Sequence, residues 1–366
     1  MLLNIHNLVA IRIGNAPSET MRLIQCEFGR FRTETLDRVD AQITFVDRIH
    51  IAGRLIFVGS SAAYDRERFY LRDHAGSLVT FPYETLGNSV SYVECEKNLD
   101  LDLLHWGVIR PVIIFNLLSR SSVLVHSSST FHKGTGILLP AWGFAGKTNL
   151  LLRFLKDGAE YVSDDWTIVT KDGLMLSYPT SINILGYNLA EFPELLTYGD
   201  WNARVRNFLY QLLATSFYSL QKSGLKLGKK WEKKIKSEIW NLNKKMRIPY
   251  ERMFPKGLVR DRCPIDQVFM LAPSNLDRIQ IEDTEPETVA RKMAYCLLYE
   301  RDIIADHYNM FRFAFPERRN SLIEDREIEE RTMYEAFRKA ELHILFTPRD
   351  CRSVRIFQEI INHLCS

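Results

Sequence analysis

The stretch Ile137-Leu138-Leu139-Pro140-Ala141-Trp142-Gly143-Phe144-Ala145-Gly146-Lys147-Thr148-Asn149 decides how the chain is read. A wholly apolar run of the kind buried on both faces of a sheet leads into a glycine-containing loop, and a helical pattern over residues 148–156 follows at once. A strand, loop and helix in that order aim successive backbone N–H groups, and the positive end of the helix dipole, at an anion above the loop. Lys147 is then expected to reach the β- and γ-phosphates of a nucleotide as a mobile point charge, and the Thr148 hydroxyl to join the coordination of Mg²⁺. The expected nucleotide contacts are Gly143, Phe144, Ala145, Gly146, Lys147, Thr148 and Asn149. The pattern departs from G-x-x-x-x-G-K-S/T at its first position, where Ala141 carries a Cβ that requires a negative φ.

The next expected strand, residues 160–162, runs into Ser163-Asp164-Asp165. Parallel α/β sheets hold ligand groups just beyond the carboxyl ends of their strands, so the tandem acids and the loop are expected to share one crevice. Two adjacent aspartates can divide labour, one accepting the proton of an attacking hydroxyl and the other holding the metal or its water. By itself the pair also reads as an acidic turn before Trp166. His126 ends a short strand over residues 123–126; alone it reads as a structural histidine, and beside the loop and the acids it becomes a third candidate.

Taken together, His126-Ser127-Ser128-Ser129, Gly134-x-Gly136, Gly143-x-x-Gly146-Lys147-Thr148, Gly158 and Ser163-Asp164-Asp165 resemble the catalytic domain of the HPr kinase/phosphorylase family and its relatives, including the kinases of lasso-peptide gene clusters. The spacings, 21 residues from His126 to Lys147 and 17 from Lys147 to Asp164, match the family pattern. The resemblance covers residues 120–183, and more loosely the strand from residue 265 and the end from residue 342. It implies an α/β P-loop kinase domain that moves the γ-phosphoryl of ATP, with Mg²⁺, to a hydroxyl of a peptide or protein serine or of a sugar-like small molecule. Carried over by position, Lys147 and Thr148 hold phosphate and metal, Asp164 is the base, Asp165 assists the metal, and His126 lies near the transferred phosphate. A further cation for the equatorial oxygens is wanted, for which Arg153 and the lysines of the basic segment are candidates. The Glu-x-Arg-Gly-Leu-Gly-like stretch that the family uses for HPr recognition is not found after Asp165, so a different acceptor is expected. The family often assembles, which leaves a homo-oligomer open.

Working outward, residues 1–96 carry short alternating runs at 8–13, 23–28, 42–46, 55–58, 78–81 and 90–93 that read as an antiparallel sheet. A helical pattern from 98 to 118, divided near Pro111, follows. The expected organisation is a smaller β-rich accessory domain with a helical linker over residues 1–118, then an HPr-kinase-like P-loop domain over 119–366. In the second part, 166–170 and 174–177 pair around Asp172-Gly173 as a hairpin, 265–272 and 342–346 read as strands, and 353–364 as a helix. Residues 131–136 read as a turn. Thr284 with Glu287, and Ser321 with Glu324, have capping-box spacing.

Residues 202–262 hold 16 Lys and Arg against 4 Asp and Glu, a net of +12 in a chain whose total is +3. Residues 228–240 read as a basic amphipathic helix with Trp231, Ile235 and Ile239 along one side. This helical insertion, at about 200–262, is either solvated or a contact for an acidic partner, a membrane surface or nucleic acid. The alternative function is therefore a nucleotide-binding switch or assembly protein, in which ATP occupancy positions the insertion against a partner and no acceptor is phosphorylated. Length (366 residues), 46% apolar and 25% charged content fit a folded globular chain. Six scattered cysteines without zinc spacing fit the reduced thiols of a cytoplasm. No signal-peptide pattern is read at the start, and no apolar run approaches the roughly 20 residues that cross a bilayer, so a cytoplasmic protein is expected.

Overall fold

Four of the expected strands, at 137–139, 160–162, 265–272 and 342–346, fall into one six-stranded sheet. The computed structural model describes every residue except 179, 200, 223–227, 243–245, 254–257, 326, 350 and 366. The sheet order is Glu160–Ser163, Ser127–His132, Thr135–Pro140, Gln267–Ser274, Glu341–Pro348, Gln280–Asp283. Thr135–Pro140, Gln267–Ser274 and Glu341–Pro348 are mutually parallel. Ser127–His132 is antiparallel to both its neighbours, so Glu160–Ser163 and Thr135–Pro140 point the same way and end at the same edge.

The loop strand is sandwiched. Leu138 faces one apolar cluster, while Ile137 and Leu139 face another built with Leu150 and Phe154 of the helix Lys147–Lys156 and with Ile356 and Ile360 of the helix Ser353–Cys365. Burying a leucine or isoleucine side chain stabilises by about 1.5–3 kcal/mol, so this strand fixes the height of the loop that follows it. Gly136 allows the close approach, because a Cβ there would sit 2.0 Å from the Pro264 carbonyl oxygen.

Ser127–His132, part of it expected as a turn, is a full strand. Its serines and threonine have partners: Ser128 Oγ donates to Asp164, Ser129 and Thr167 share a hydrogen bond, and Thr130 donates to the Glu160 carbonyl. The hairpin Thr167–Thr170 with Leu174–Leu176 forms as expected, in a four-stranded sheet with Ser122–Val125 and Arg262–Pro264.

The N-terminal sheet has nine strands and is mixed, not antiparallel: Val9–Gly14, Ala41–Val46 and Ser91–Glu96 run parallel. Residues 23–28, expected as a strand, belong to the helix Ser18–Phe28. Its buried positions Thr20, Ile24, Glu27 and Phe28 repeat at helical spacing, which outweighs the apparent alternation. The helical pattern from residue 98 resolves into a wide π-helical turn, Leu103–Ile109, followed by the α-helix Arg110–Leu118. Pro111 lies in the first turn of that α-helix and does not break it.

One apolar cluster runs through the expected boundary at residue 118. It joins Leu3 and Val93 of the N-terminal sheet and Val112 to Leu138, Met293, Phe311 and Phe337. Neither expected capping box forms. The helix Pro286–Glu300 starts on Pro286 without a side-chain cap, and Ser321–Glu324 is capped by Asn320, whose side chain accepts from the Leu322 N–H.

The basic segment contains the helices Trp201–Lys222 and Lys229–Leu242. Ile235 and Ile239 pack on Ala214 and Phe217, whereas Trp231 is exposed. Parts of that segment (223–227, 243–245 and 254–257) lie outside the described residues. Among the described residues no helix is long and apolar enough to cross a membrane, and all six cysteines are free thiols.

Candidate functional site

Beyond Pro140 the chain makes one more parallel bridge, Ala141 to Leu271, and then leaves the sheet. The Ala141 side chain is fully buried in the apolar cluster with Ile137 and Leu139, so its methyl does not enter the crevice. Gly146 caps the following helix in the left-handed conformation (φ 91°), a shape that a Cβ would strain although nothing crowds it. Lys147 is buried, and its Nζ donates to the carbonyls of Ala141 (3.3 Å) and Trp142 (3.2 Å). Burial pulls its pKa down, while Asp165 and Asp164 pull it back up.

The tandem acids reach the same edge and differ in setting. Asp164 is buried beneath the loop, accepting from Thr148 Oγ1 (3.1 Å to Oδ2) and from Ser128 Oγ (2.5 Å to Oδ1). Burial, and then the neighbouring Asp165, push its carboxyl up to about 6. Asp165, at φ 67°, turns its side chain outward; the side chain is 36% exposed and lines the crevice with Lys147, Thr148 and His126. Its Oδ2 accepts from Asn183 (3.3 Å), and its Oδ1 lies 3.3 Å from His126 Nε2.

His126 is held on three sides. Its ring stacks on Trp166 (centroids 5.0 Å, 19°), and Nδ1 lies 3.4 Å from Glu300 Oε1 and 3.8 Å from Cys296 Sγ. The residues that sequence reasoning did not single out are Glu300, Cys296, Trp106 and Arg110. Glu300 did leave a signal: an acid ending the helix Pro286–Glu300 opposes the helix dipole and so calls for another reason to be there. Arg110 is buried, its guanidinium carbon over the rings of Trp106 (4.3 Å) and Trp166 (3.7 Å), and burial lowers its pKa to about 10.

Two cavities flank the loop. The crevice just described, about 200 Å³, is lined by Gly143, Phe144, Ala145, Gly146, Lys147 and Thr148 on one side and Asp165, Trp166 and Asn183 on the other. A groove of about 690 Å³ shares Phe144, Ala145 and Gly146 and extends over the strand ends at Pro273, Thr347 and Pro348 to Arg349 and Arg352. Asn149 lines this groove and not the crevice; its amide donates to Glu191 (3.0 Å) and its carbonyl accepts from Asn188 (2.7 Å). Arg153 is engaged away from the crevice, donating to Ser353 and Glu191 and stacking on Phe192.

For a hard cation the fitting donors are the oxygens of Thr148, Asp164 and Asp165. His126, Cys296 and Glu300 also gather donor atoms within 4.8 Å of one another, but that nitrogen, sulfur and oxygen set suits a softer ion than Mg²⁺. No protein-family model matches the chain, and no curated protein does.

Proposed function

We propose that the protein is an ATP- and Mg²⁺-dependent kinase that transfers the γ-phosphoryl group to a hydroxyl, with the catalytic part built as a P-loop α/β domain. One observation carries the reading. The Thr148 hydroxyl at the helix start donates to Asp164, while Asp165, the next residue, faces the open side of the same crevice. A hydroxyl and a carboxylate in contact below a loop ending in Gly146-Lys147 are the hard oxygen pair that Mg²⁺ prefers, so Thr148 and Asp164 would hold it. When bound, the ion neutralises charge on the phosphate oxygens. The roles given to the two acids on resemblance are thus exchanged: Asp164 is the metal-side carboxylate and Asp165 the base.

In this scheme the loop N–H groups and Lys147, released from its two carbonyls, hold the β- and γ-phosphates. The nucleoside half takes the 690 Å³ groove over the strand ends. The acceptor oxygen approaches from the Asp165 side. Its proton passes to the Asp165 carboxylate, its bond to the γ-phosphorus forms, and the bond from that phosphorus to the β-bridging oxygen breaks, leaving ADP. His126, fixed by Trp166 and Glu300, orients Asp165 from the far side.

Asp165→Asn is expected to leave ATP affinity within a few-fold by calorimetry and to cut label transfer from γ-labelled ATP by about 10²–10⁴-fold. Transfer at the wild-type rate would remove Asp165 from the chemistry. The exposed Phe208, Leu212 and Trp231 on the basic helices favour a second reading, a nucleotide switch that docks a partner. It predicts nucleotide binding with label reaching only free phosphate or staying on ATP.

A further inference from the structure

A second recess opens off the crevice at Asp165. It shares Trp106, Asp165, Trp166 and Asn183 with the crevice and continues to Arg110, Tyr178, Arg247 and Glu27; no residue of the glycine loop lines it. Its volume, about 60 Å³, holds a few waters or one small polar group.

Arg110 is the unusual member. It is 5% exposed, its guanidinium carbon lies over two indole rings, and its Nη2 has no hydrogen-bond partner among the described residues. A buried cation with an unmet donor is costly, and such donors are ordinarily satisfied. The chain nevertheless builds it in firmly. The π-helical turn Leu103–Ile109 closes when the Arg110 N–H donates to the His105 carbonyl, and the same turn brings Trp106 over the guanidinium. Packed over two rings, the planar fork offers paired donors of the geometry that carboxylates and phosphates accept.

The other charges in the recess leave room for an anion. Arg247 is exposed on its rim. Glu27 is buried, with its Oε2 3.5 Å from the Ser181 N–H; burial raises its pKa, and Ser181 and Arg247 draw it partly back. Asp165 is committed to His126 and Asn183 at the mouth.

Resting on the kinase reading, we infer that this recess binds an anionic group, carboxylate or phosphate, of a small-molecule acceptor, and that Arg110 with Arg247 thereby sets the acceptor hydroxyl against Asp165. The substrate class is then a hydroxy acid or a phosphorylated alcohol, and not a neutral sugar.

The test uses the full chain with Mg²⁺ and a non-hydrolysable ATP analogue filling the loop, titrated calorimetrically with inorganic phosphate, with acetate and with glycerol. Saturable binding of phosphate or acetate, and none of glycerol, is expected, and the anion that binds tells which source the acceptor carries. Arg247→Ala, a change at an exposed residue, should weaken that binding about tenfold or more, the loss of one charge-assisted contact. Arg110→Lys, checked for folding by its melting curve, should do the same, because it keeps the charge and loses the fork. Anion binding untouched by both variants, or no anion binding while the analogue binds, overturns the recess assignment alone. Failure of the analogue to bind overturns the kinase reading, and the acceptor role with it.

Discussion

Asp164→Asn is expected to reduce phosphoryl transfer by about 10²–10³-fold or more and, in metal-free protein at pH 7.5, to raise the melting temperature. The carboxyl sits at about 6, above its ordinary 3.8, because it is buried beside Asp165. A folded-state pKa above the unfolded one means that the native protein gains from the protonated form. That contribution is complete below about pH 4 and is lost as the pH rises through about 6. Asparagine keeps an oxygen for Ser128 and Thr148 to donate to and carries no charge. The stabilisation should be on the order of 1–3 kcal/mol at pH 7.5, and a few degrees for a chain of this size. Melting curves of the two proteins between pH 4 and 8 should coincide at the acid end and separate as the pH rises. Parallel curves over that range would mean that this carboxylate is not under strain, and full activity would exclude it from the metal side.

Lys147→Met is the second. The side chain is buried, its ammonium donates to the Ala141 and Trp142 carbonyls, and burial disfavours its charge while Asp165 and Asp164 favour it, two effects that oppose each other. Methionine fills the same space, so the fold should change by no more than about 1 kcal/mol in either direction. ATP affinity, by contrast, should fall about 10–100-fold, the worth of a charged hydrogen-bonding group of about 1.5–3 kcal/mol. Equilibrium titration with and without Mg²⁺ measures it. Unaltered affinity would mean that the nucleotide does not use this loop.

The parts of the fold legible in the sequence were those set by short chain separations. The apolar triplet Ile137-Leu138-Leu139, the loop and its helix are contiguous, and the spacing from Lys147 to Asp164 is one helix and one strand. Those signals put the tandem acids and the loop on one edge, as observed. What failed was decided at longer range. Strand direction in the N-terminal sheet depends on pairing partners far apart in the chain, and the alternation of Ala41–Val46 and Ser91–Glu96 reports that one face of each strand is covered, not which way its neighbour runs. Residues 131 and 132, read as the start of a turn, belong to the strand Ser127–His132, whose side chains find partners only once residues 160–167 arrive beside them. Arg110 stands just before Pro111, where the helical pattern was expected to divide, and nothing in its neighbours in sequence marks it. Its meaning comes from Trp166, which caps the guanidinium from the turn between Glu160–Ser163 and Thr167–Thr170. The different settings of the two acids, Asp164 buried and Asp165 turned to the crevice, were equally hidden, since they rest on a positive φ at the second acid.

The apolar interior that runs without a seam from Leu3 through Val112 to Phe337 constrains how such a protein can diversify. A recombination point near residue 118 would cut across packed side chains, so exchanging the front segment between relatives would leave both products with mismatched surfaces. Change in such a protein should therefore come by point substitutions that keep the shared interior, inherited together with the whole chain.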